Sequence, residues 1–217
     1  EWKDYNAYSD FISSEGVPVF YARVDHVSVP LAKEGTGQVV VDFTPEPLTQ
    51  DVSFVFHIEK TADVVVDSLT AEISGIPSTM ELTTGLILAQ KTYKLLFRPT
   101  YAALPSAADS ASAEALRCEA SVNIPGIVRS HTEDMVTGPG ILQIAIYTHY
   151  DYEEEGTQRK AAKVFHAGIN LYHTLKERKS LQWDEEENGY RQASRSITVE
   201  IGSPLNIDKD GILNGGS

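Results

Sequence analysis

Cysteine, basic charge and long apolar runs are all scarce in this chain of 217 residues. The single cysteine, Cys118, excludes an internal disulfide. The longest apolar runs, such as residues 141–147, are far shorter than the roughly 20 residues that a membrane-spanning helix needs. With 18 Lys and Arg against 31 Asp and Glu, the net charge of -13 would repel phosphate backbones, so we expect no nucleic-acid partner.

The usual catalytic signatures are also missing. The sequence contains no P-loop, no G-x-S-x-G, H-E-x-x-H or C-x-x-C motif, and no Rossmann glycine pattern. Cys118 lies in a predicted strand between Arg117 and Glu119, where a buried structural thiol is the expected role. We therefore predict that the protein is not an enzyme and has no catalytic residues.

What the sequence does contain is a series of short segments in which apolar and polar residues alternate, bounded by Gly, Pro, Asn and Asp. This period of two is typical of half-buried β-strands. Eight such segments predict a mostly β protein, an antiparallel β-sandwich: residues 38–43, 52–58, 64–73, 92–98, 116–124, 141–149, 160–169 and 196–201. One short helix is predicted near 170–179, capped by Asn170.

The remaining segments predict connections and boundaries. Residues 102–115 are rich in Ala and Ser and predict a flexible loop, and residues 151–156 predict an acidic loop between two strands. We assign residues 36–217 to a β-sandwich domain. Residues 1–35 are interpreted either as an N-terminal extension or as the remnant of a first β-sandwich domain. Because the chain begins at Glu1 without methionine, we expect a processed product.

The segment from Asn206 to Asn214 carries the most specific local motif. It has oxygen-bearing residues at loop positions one, three, five and nine and a glycine at position six, as at the start of an EF-hand loop. The candidate Ca²⁺ ligands are Asn206, Asp208, Asp210 and Asn214. The twelfth position is Ser217 rather than a bidentate glutamate, so a turn held by Asx side chains is the alternative interpretation. No other cofactor is predicted.

Tyrosines cluster at one end of the predicted hairpin of residues 141–169. Tyr147, Tyr150 and Tyr152 are candidate ligand-binding residues, because exposed aromatic rings stack on the apolar faces of sugars. This cluster supports a glycan-binding surface module as an alternative function. The competing interpretation is a rim of amphipathic side chains on the sandwich.

Three further stretches stand out: residues 71–77 followed by residues 82–85, the GPGILQI stretch of residues 138–144, and the INLY stretch of residues 169–172. Together they resemble the fimbrillin-like proteins of Bacteroidales and their fimbrial anchors. The resemblance covers roughly residues 36–213. It implies transthyretin-like, Greek-key β-sandwich domains, no enzymatic activity, and a role in fimbrial assembly, anchoring or adhesion at the cell surface.

The resemblance also implies export to the outer membrane and a lipid anchor on a cysteine upstream of Glu1, through which alone the protein would contact a membrane. The implied partners are other fimbrial subunits or surface proteins, with glycan as a further candidate. Such proteins assemble by β-strand addition, in which an unpaired sheet edge accepts a strand from a neighbour. The predicted edge strands here are Val39–Phe43 and Ser196–Ile201, because both are short and the first is bounded by prolines.

Overall fold

The structure is a computed structural model that describes residues 10–12, 19–28, 39–82, 85–103, 113–130, 132–184, 189–192, 196–201, 205–207 and 212–214. The described residues form fifteen β-strands and one α-helix. The elements in chain order are β1 (Asp10–Ile12), β2 (Phe20–Tyr21), β3 (Glu46–Pro47), β4 (Gln50–Thr61), β5 (Val64–Met80), β6 (Ile87–Phe97), β7 (Thr100–Ala103), β8 (Ala113–Ile124), β9 (Ile141–Glu154), β10 (Thr157–Asn170), α1 (Leu171–Glu177), β11 (Leu181–Asp184), β12 (Gly189–Gln192), β13 (Ser196–Glu200), β14 (Leu205–Ile207) and β15 (Ile212–Asn214).

Two sheets form the main body of the protein. The first sheet has the strand order β1-β6-β5-β9-β10, in which β1 is parallel to β6 and the other pairs are antiparallel. The second sheet has the order β15-β14-β4-β8-β7, and β13 also pairs with β4. Two further pairs, β2 with β3 and β11 with β12, form separate two-stranded sheets.

A single apolar cluster joins the two sheets. The inward residues of β4, among them Phe54 and Phe56, are fully buried together with Ile73 of β5 and Ile144 of β9. The rings of Phe54 and Phe97 stack across the two sheets with their centroids 5.5 Å apart. Because each strand alternates its side chains between two faces, one face of each sheet supplies this core and the other faces outward. The predicted mostly β fold is therefore confirmed, as is the short helix: α1 lies within 170–179, and Asn170 caps it by accepting a hydrogen bond from the His173 N–H.

The prediction of a first strand at residues 38–43 is wrong. Residues 39–45 form no strand, and the side chains of Val40 and Phe43 are 74% and 61% exposed. β-branched residues favour an extended backbone, but a strand also needs a neighbour with which to exchange hydrogen bonds. Pro45 and Pro47 have no N–H to offer to such a neighbour, and the pairing is limited to the two residues of β3.

Other predicted boundaries shift outward, because the strands are longer than the local pattern suggested. β9 runs through Asp151 to Glu154, so the predicted acidic loop is reduced to a turn at Glu155 and Gly156. The predicted loop at 102–115 contributes its ends to β7 and β8, while residues 104–112 lie outside the described residues. The limits of the two predicted domains, 1–35 and 36–217, stay a prediction; within the first of them β1 pairs with β6.

Three distant segments meet where β5 ends its pairing with β9, at what we call the glycine junction: Ser74, Gly75, Gly138, Gly140 and Tyr172. The Gly140 N–H donates to the Ser74 carbonyl at 3.0 Å, and the Tyr172 N–H donates to the Gly140 carbonyl at 2.9 Å. The buried Ser74 hydroxyl donates to the Gly138 carbonyl and accepts from the Ile141 N–H at 3.1 Å. These bonds connect β5, the start of β9 and the start of α1.

The junction requires glycine at two positions. Gly75 and Gly140 have φ of +80° and +79°, a backbone conformation that L side chains rarely adopt. A Cβ on Gly75 would lie 2.6 Å from the Gly140 nitrogen, and a Cβ on Gly140 would lie 2.8 Å from the Tyr172 Cβ. The backbone segments therefore approach more closely here than a side chain at Gly75 or Gly140 would allow.

β9 and β10 form a hairpin of fourteen residue pairs whose far end extends past the sandwich. The last pair between β5 and β9 is Val64 with Tyr150, and beyond it the described part of the hairpin has no third strand. We call residues 151–160 the ribbon. Glu155 and Gly156 close it with φ of +53° and +75°, as in the two-residue turns that match the strand twist.

Candidate functional site

The three predicted tyrosines do not form one site. In β9 the side chains alternate, so Tyr150 and Tyr152 lie on one face of the hairpin and Tyr147 on the other. The rings of Tyr150 and Tyr152 are 6.1 Å apart and tilted by 47°, and Tyr152 is 37% exposed. The structure thus brings together two of the candidate residues and separates the third.

Charged groups surround this tyrosine pair. The Lys163 Nζ lies 5.8 Å from the centroid of the Tyr150 ring, within the range of a cation–π contact. Arg159 lies opposite Tyr152 on β10, and its Nη1 is 2.9 Å from the Glu154 Oε2. Aromatic rings can stack on the apolar face of a sugar, and basic and acidic side chains beside them can form hydrogen bonds with its hydroxyl groups.

The predicted Ca²⁺ loop coincides with a β-hairpin at its two ends. Asn206 in β14 and Asn214 in β15 are paired across an antiparallel ladder. The other two predicted ligands, Asp208 and Asp210, lie outside the described residues. Within the described part of the chain no three His, Cys, Asp or Glu residues are grouped as metal ligands. The Ca²⁺ site stays a prediction.

One edge of β4 is covered by two short strands from late in the chain. β13 pairs in parallel with Asp51–Val55, and β14 pairs in parallel with Ile58–Lys60, so the two strands lie one after the other along the same edge. Val199 of β13 is 1% exposed and belongs to the core, and the Ile201 N–H donates to the Val55 carbonyl. The predicted segment Ser196–Ile201 is thus a strand through Glu200, and it lies at a sheet edge.

A cleft opens where the chain crosses from β6 to β7. It has a volume of about 460 Å³ and is lined by Leu95–Arg98, Thr100 and Glu119–Ser121. β7 pairs with β8 only as far as Glu119, so within the described residues β8 continues to Ile124 with β4 as its only strand neighbour. The lining of the cleft includes the charged residues Arg98 and Glu119.

The titratable groups of the core have structural roles. Burial raises the pKa of the Cys118 thiol to about 11, so the thiol is protonated and unreactive at neutral pH, as the sequence predicted for a buried cysteine. Partial burial also raises the pKa of Tyr101, whose side chain is 46% exposed and lies outside the core, with smaller contributions from Cys118 and Asp67. On the outward face of the first sheet, Lys94 Nζ and Glu72 Oε1 form an ion pair of 2.6 Å whose side chains are 9% and 19% exposed.

Sequence reasoning missed the glycine junction as a spatial unit, although the three stretches that carry the family resemblance contain its members. Ser74 and Gly75 lie in the first stretch, Gly138 and Gly140 in the second, and Tyr172 in the third. The available signal was the occurrence of glycine inside otherwise apolar strand patterns, which indicates close backbone approach. No periodicity indicated which glycines would meet.

No protein-family model, curated protein or solved structure matches this chain. The helix in the described part of the chain, α1, has seven residues. No helix in that part is long and apolar enough to cross a membrane.

Proposed function

We propose that this protein is a non-enzymatic surface subunit that assembles with neighbouring proteins by β-strand addition, as fimbrillin-like pilus subunits and anchors do. The observation that carries the proposal is the pairing of β13 and β14 along one edge of β4. These strands lie about 140 residues from β4 in the sequence and pair with it in parallel. An identical segment from another molecule can make the same hydrogen bonds and bury the same side chains.

The specificity of such an exchange would come from alternate side chains of the segment. Ile197 and Val199 face the core, whereas Ser196, Thr198 and Glu200 face outward. Burying an apolar side chain stabilises by about 1.5–3 kcal/mol, so Val199 fixes the register of the strand on β4. The proposed location, the cell surface, follows from the family resemblance and from the upstream lipid anchor that it implies.

The test is incorporation of a labelled segment into the full chain. A fluorescent peptide with the sequence of residues 196–214 is incubated with the protein, and the bound fraction is followed by gel filtration. We expect slow, stoichiometric incorporation, limited by release of the protein's own segment. The same peptide with Val199→Asp is the matched control and should not incorporate. A failure of the native peptide to bind, even to a chain truncated after residue 195 that remains soluble, contradicts the proposal.

A second candidate function, binding of a surface glycan, is supported by the proximity of Tyr150 and Tyr152 on one face of the β9–β10 hairpin. It predicts saturable binding to a polysaccharide that Tyr152→Ala abolishes. Tyr147→Ala, on the opposite face and similarly exposed, is the matched control and should bind normally. Equal loss in both variants, or binding that neither variant changes, argues against this site.

A further inference from the structure

β10 forms an outer edge of the first sheet. Its fourteen residues pair with β9 on one side, and no strand in the described part of the chain pairs with it on the other. In a β-strand every second residue directs its N–H and C=O to the same side, so the outer side of β10 offers a regular series of donors and acceptors. The geometry is that of a template for one more strand.

The charge of β10 is opposite to that of the whole protein. The chain has 31 acidic and 18 basic residues, yet the segment Thr157–Asn170 contains Arg159, Lys160 and Lys163 and no Asp or Glu. The acidic partners lie on β9, where Asp151 is opposite Lys160 and Glu154 pairs with Arg159. The hairpin is thus an acidic strand paired with a basic strand, and the basic strand is the outer one.

This charge pattern selects among strands that could add to the edge. Antiparallel pairing of β10 with β10 of a second copy, centred on this stretch, brings lysine and arginine side chains together, and like charges on facing strands are destabilising. Lysines on edge strands are one way in which sheets avoid pairing with copies of themselves. An acidic strand meets attraction at the same positions, as β9 does on the other side.

We propose that the outer edge of β10 binds an extended acidic segment of a partner polypeptide by strand addition, with carboxylates of that segment facing Arg159 and Lys160. The side chain of Lys160 is exposed, and that of Arg159 is 54% exposed while it contacts Glu154 of β9. This edge belongs to the first sheet, whereas the exchange proposed above involves β4 of the second sheet. The two proposals therefore stand or fall separately.

The probe is a fluorescent peptide with the sequence YTHYDYEE, which is that of residues 147–154, the natural neighbours of β10. Its binding to the full chain is measured by anisotropy, and hydrogen exchange is measured for the amides of residues 157–170. We expect saturable binding that weakens with added salt, together with slower exchange in β10 and unchanged exchange in β13. The peptide YTHYNYQQ, of the same shape without the carboxylates, should bind at least about threefold more weakly.

The matched variants are Lys160→Glu and Lys176→Glu, which make the same change of charge on the ribbon and on the exposed side of α1. Lys160→Glu should weaken peptide binding about threefold to tenfold, because an attractive cross-strand pair becomes a repulsive one. Lys176→Glu should leave binding within about twofold. Thermal unfolding of both variants verifies that the fold is retained.

Each of the following results would overturn the proposal. They are the absence of binding, equal binding of YTHYDYEE and YTHYNYQQ, binding without slower exchange in β10, and equal binding of a YTHYDYEE peptide that is N-methylated at alternate amides. The last of these means that charge attracts the peptide without strand pairing. A dimer of the protein that Lys160→Glu leaves intact and that protects the β10 amides means that a second copy occupies the edge instead.

Discussion

The two ends of the β9–β10 hairpin have opposite surroundings. At one end, Gly140 belongs to the glycine junction and Ile141 donates a hydrogen bond to it, so that backbones from three segments are hydrogen-bonded and buried there. At the other end, the ribbon of residues 151–160 is exposed on both faces. Both ends contain a glycine with nearly the same positive φ, Gly140 at +79° and Gly156 at +75°. The comparison shows that one local conformation serves close packing in one place and a free turn in the other.

Among the glycine substitutions, replacing Gly140 with alanine should have the largest effect. The new Cβ would lie 2.8 Å from the Tyr172 Cβ and 2.9 Å from the Val128 carbonyl oxygen, in addition to the strain of a positive φ. We expect Gly140→Ala to lower the free energy of unfolding by about 2–5 kcal/mol, measured by urea denaturation. The control is Gly156→Ala, where no atom lies within 4 Å, so the φ strain of about 1–2 kcal/mol acts alone. Equal losses in the two variants would mean that the close approach at the junction does not matter.

Removing the Ser74 hydroxyl should cost less. Ser74→Ala leaves the buried Gly138 carbonyl and the Ile141 N–H without this partner, for an expected loss of about 1–3 kcal/mol in the free energy of unfolding. Ser53 is the matched serine, since its hydroxyl lies 3.2 Å from that of Ser121 on an exposed face. Ser53→Ala should change stability by less than about 0.5 kcal/mol. Comparable losses of unfolding free energy in the two variants would mean that the hydrogen bonds of Ser74 stabilise the protein no more than the exposed contact of Ser53 does.

Cys118 provides a reporter of core opening and a pH test. The pKa of the Cys118 thiol in the folded protein, about 11, lies above the ordinary thiol value of 9.0, so the unfolded chain releases the thiol proton first. The contribution of Cys118 to the free energy of unfolding is therefore fully present below pH 9. It falls as the pH rises toward 11, by up to about 1.4 kcal/mol per pH unit. The difference in unfolding free energy between the wild type and Cys118→Ala should change over this window only.

The rate at which Cys118 is labelled should also differ between variants at the two ends of the hairpin. At neutral pH, a thiol reagent should label Cys118 faster in Gly140→Ala than in the wild type, because a weakened junction lets the core open more often. Gly156→Ala should label more slowly than Gly140→Ala. Labelling that is faster in Gly156→Ala than in Gly140→Ala would mean that the sandwich opens from the ribbon.

The smallest effect on stability is expected in the ribbon itself. Tyr152→Ala removes a partly exposed ring that contacts Tyr150 alone among the aromatic contacts of the described residues, so the free energy of unfolding should fall by less than about 1 kcal/mol. Tyr172→Ala, at the junction end of the hairpin and 1% exposed, is the comparison and should cost about 3–5 kcal/mol. Both are measured by urea denaturation. A large loss in Tyr152→Ala would show that the ribbon supports the sandwich.

Much of the fold could be predicted because its information is local. Alternation in residues 52–58 identified the inward faces of Phe54 and Phe56, and both are buried in β4. The cap at Asn170 was also predictable, since a side-chain oxygen at a helix start accepts a backbone N–H within three residues. The prediction was wrong at residues 39–43, where the local pattern was suitable but, within the described part of the chain, no strand pairs with these residues and prolines lie close by.

The candidate site was only partly predictable. The sequence placed Tyr147, Tyr150 and Tyr152 within six residues of one another, but the alternation of β9 directs Tyr147 to the opposite face. The acidic residues 151–154 were interpreted as a loop because charge is frequent in loops. They are instead strand residues, since the pairing with β10 supplies their backbone partners and opposite charges across the hairpin.

The class of the fold, the helix cap and the basic character of β10 follow from the sequence alone, because each depends on residues close together in the chain. The packing of the whole chain placed β10 at the edge of the first sheet and β13 and β14 on one side of β4, and it brought Gly75 and Gly140 into contact. The physical reason is that a strand exchanges hydrogen bonds with whichever backbone lies beside it. That neighbour is selected by the burial of the common core, and the core draws on residues far apart in the sequence.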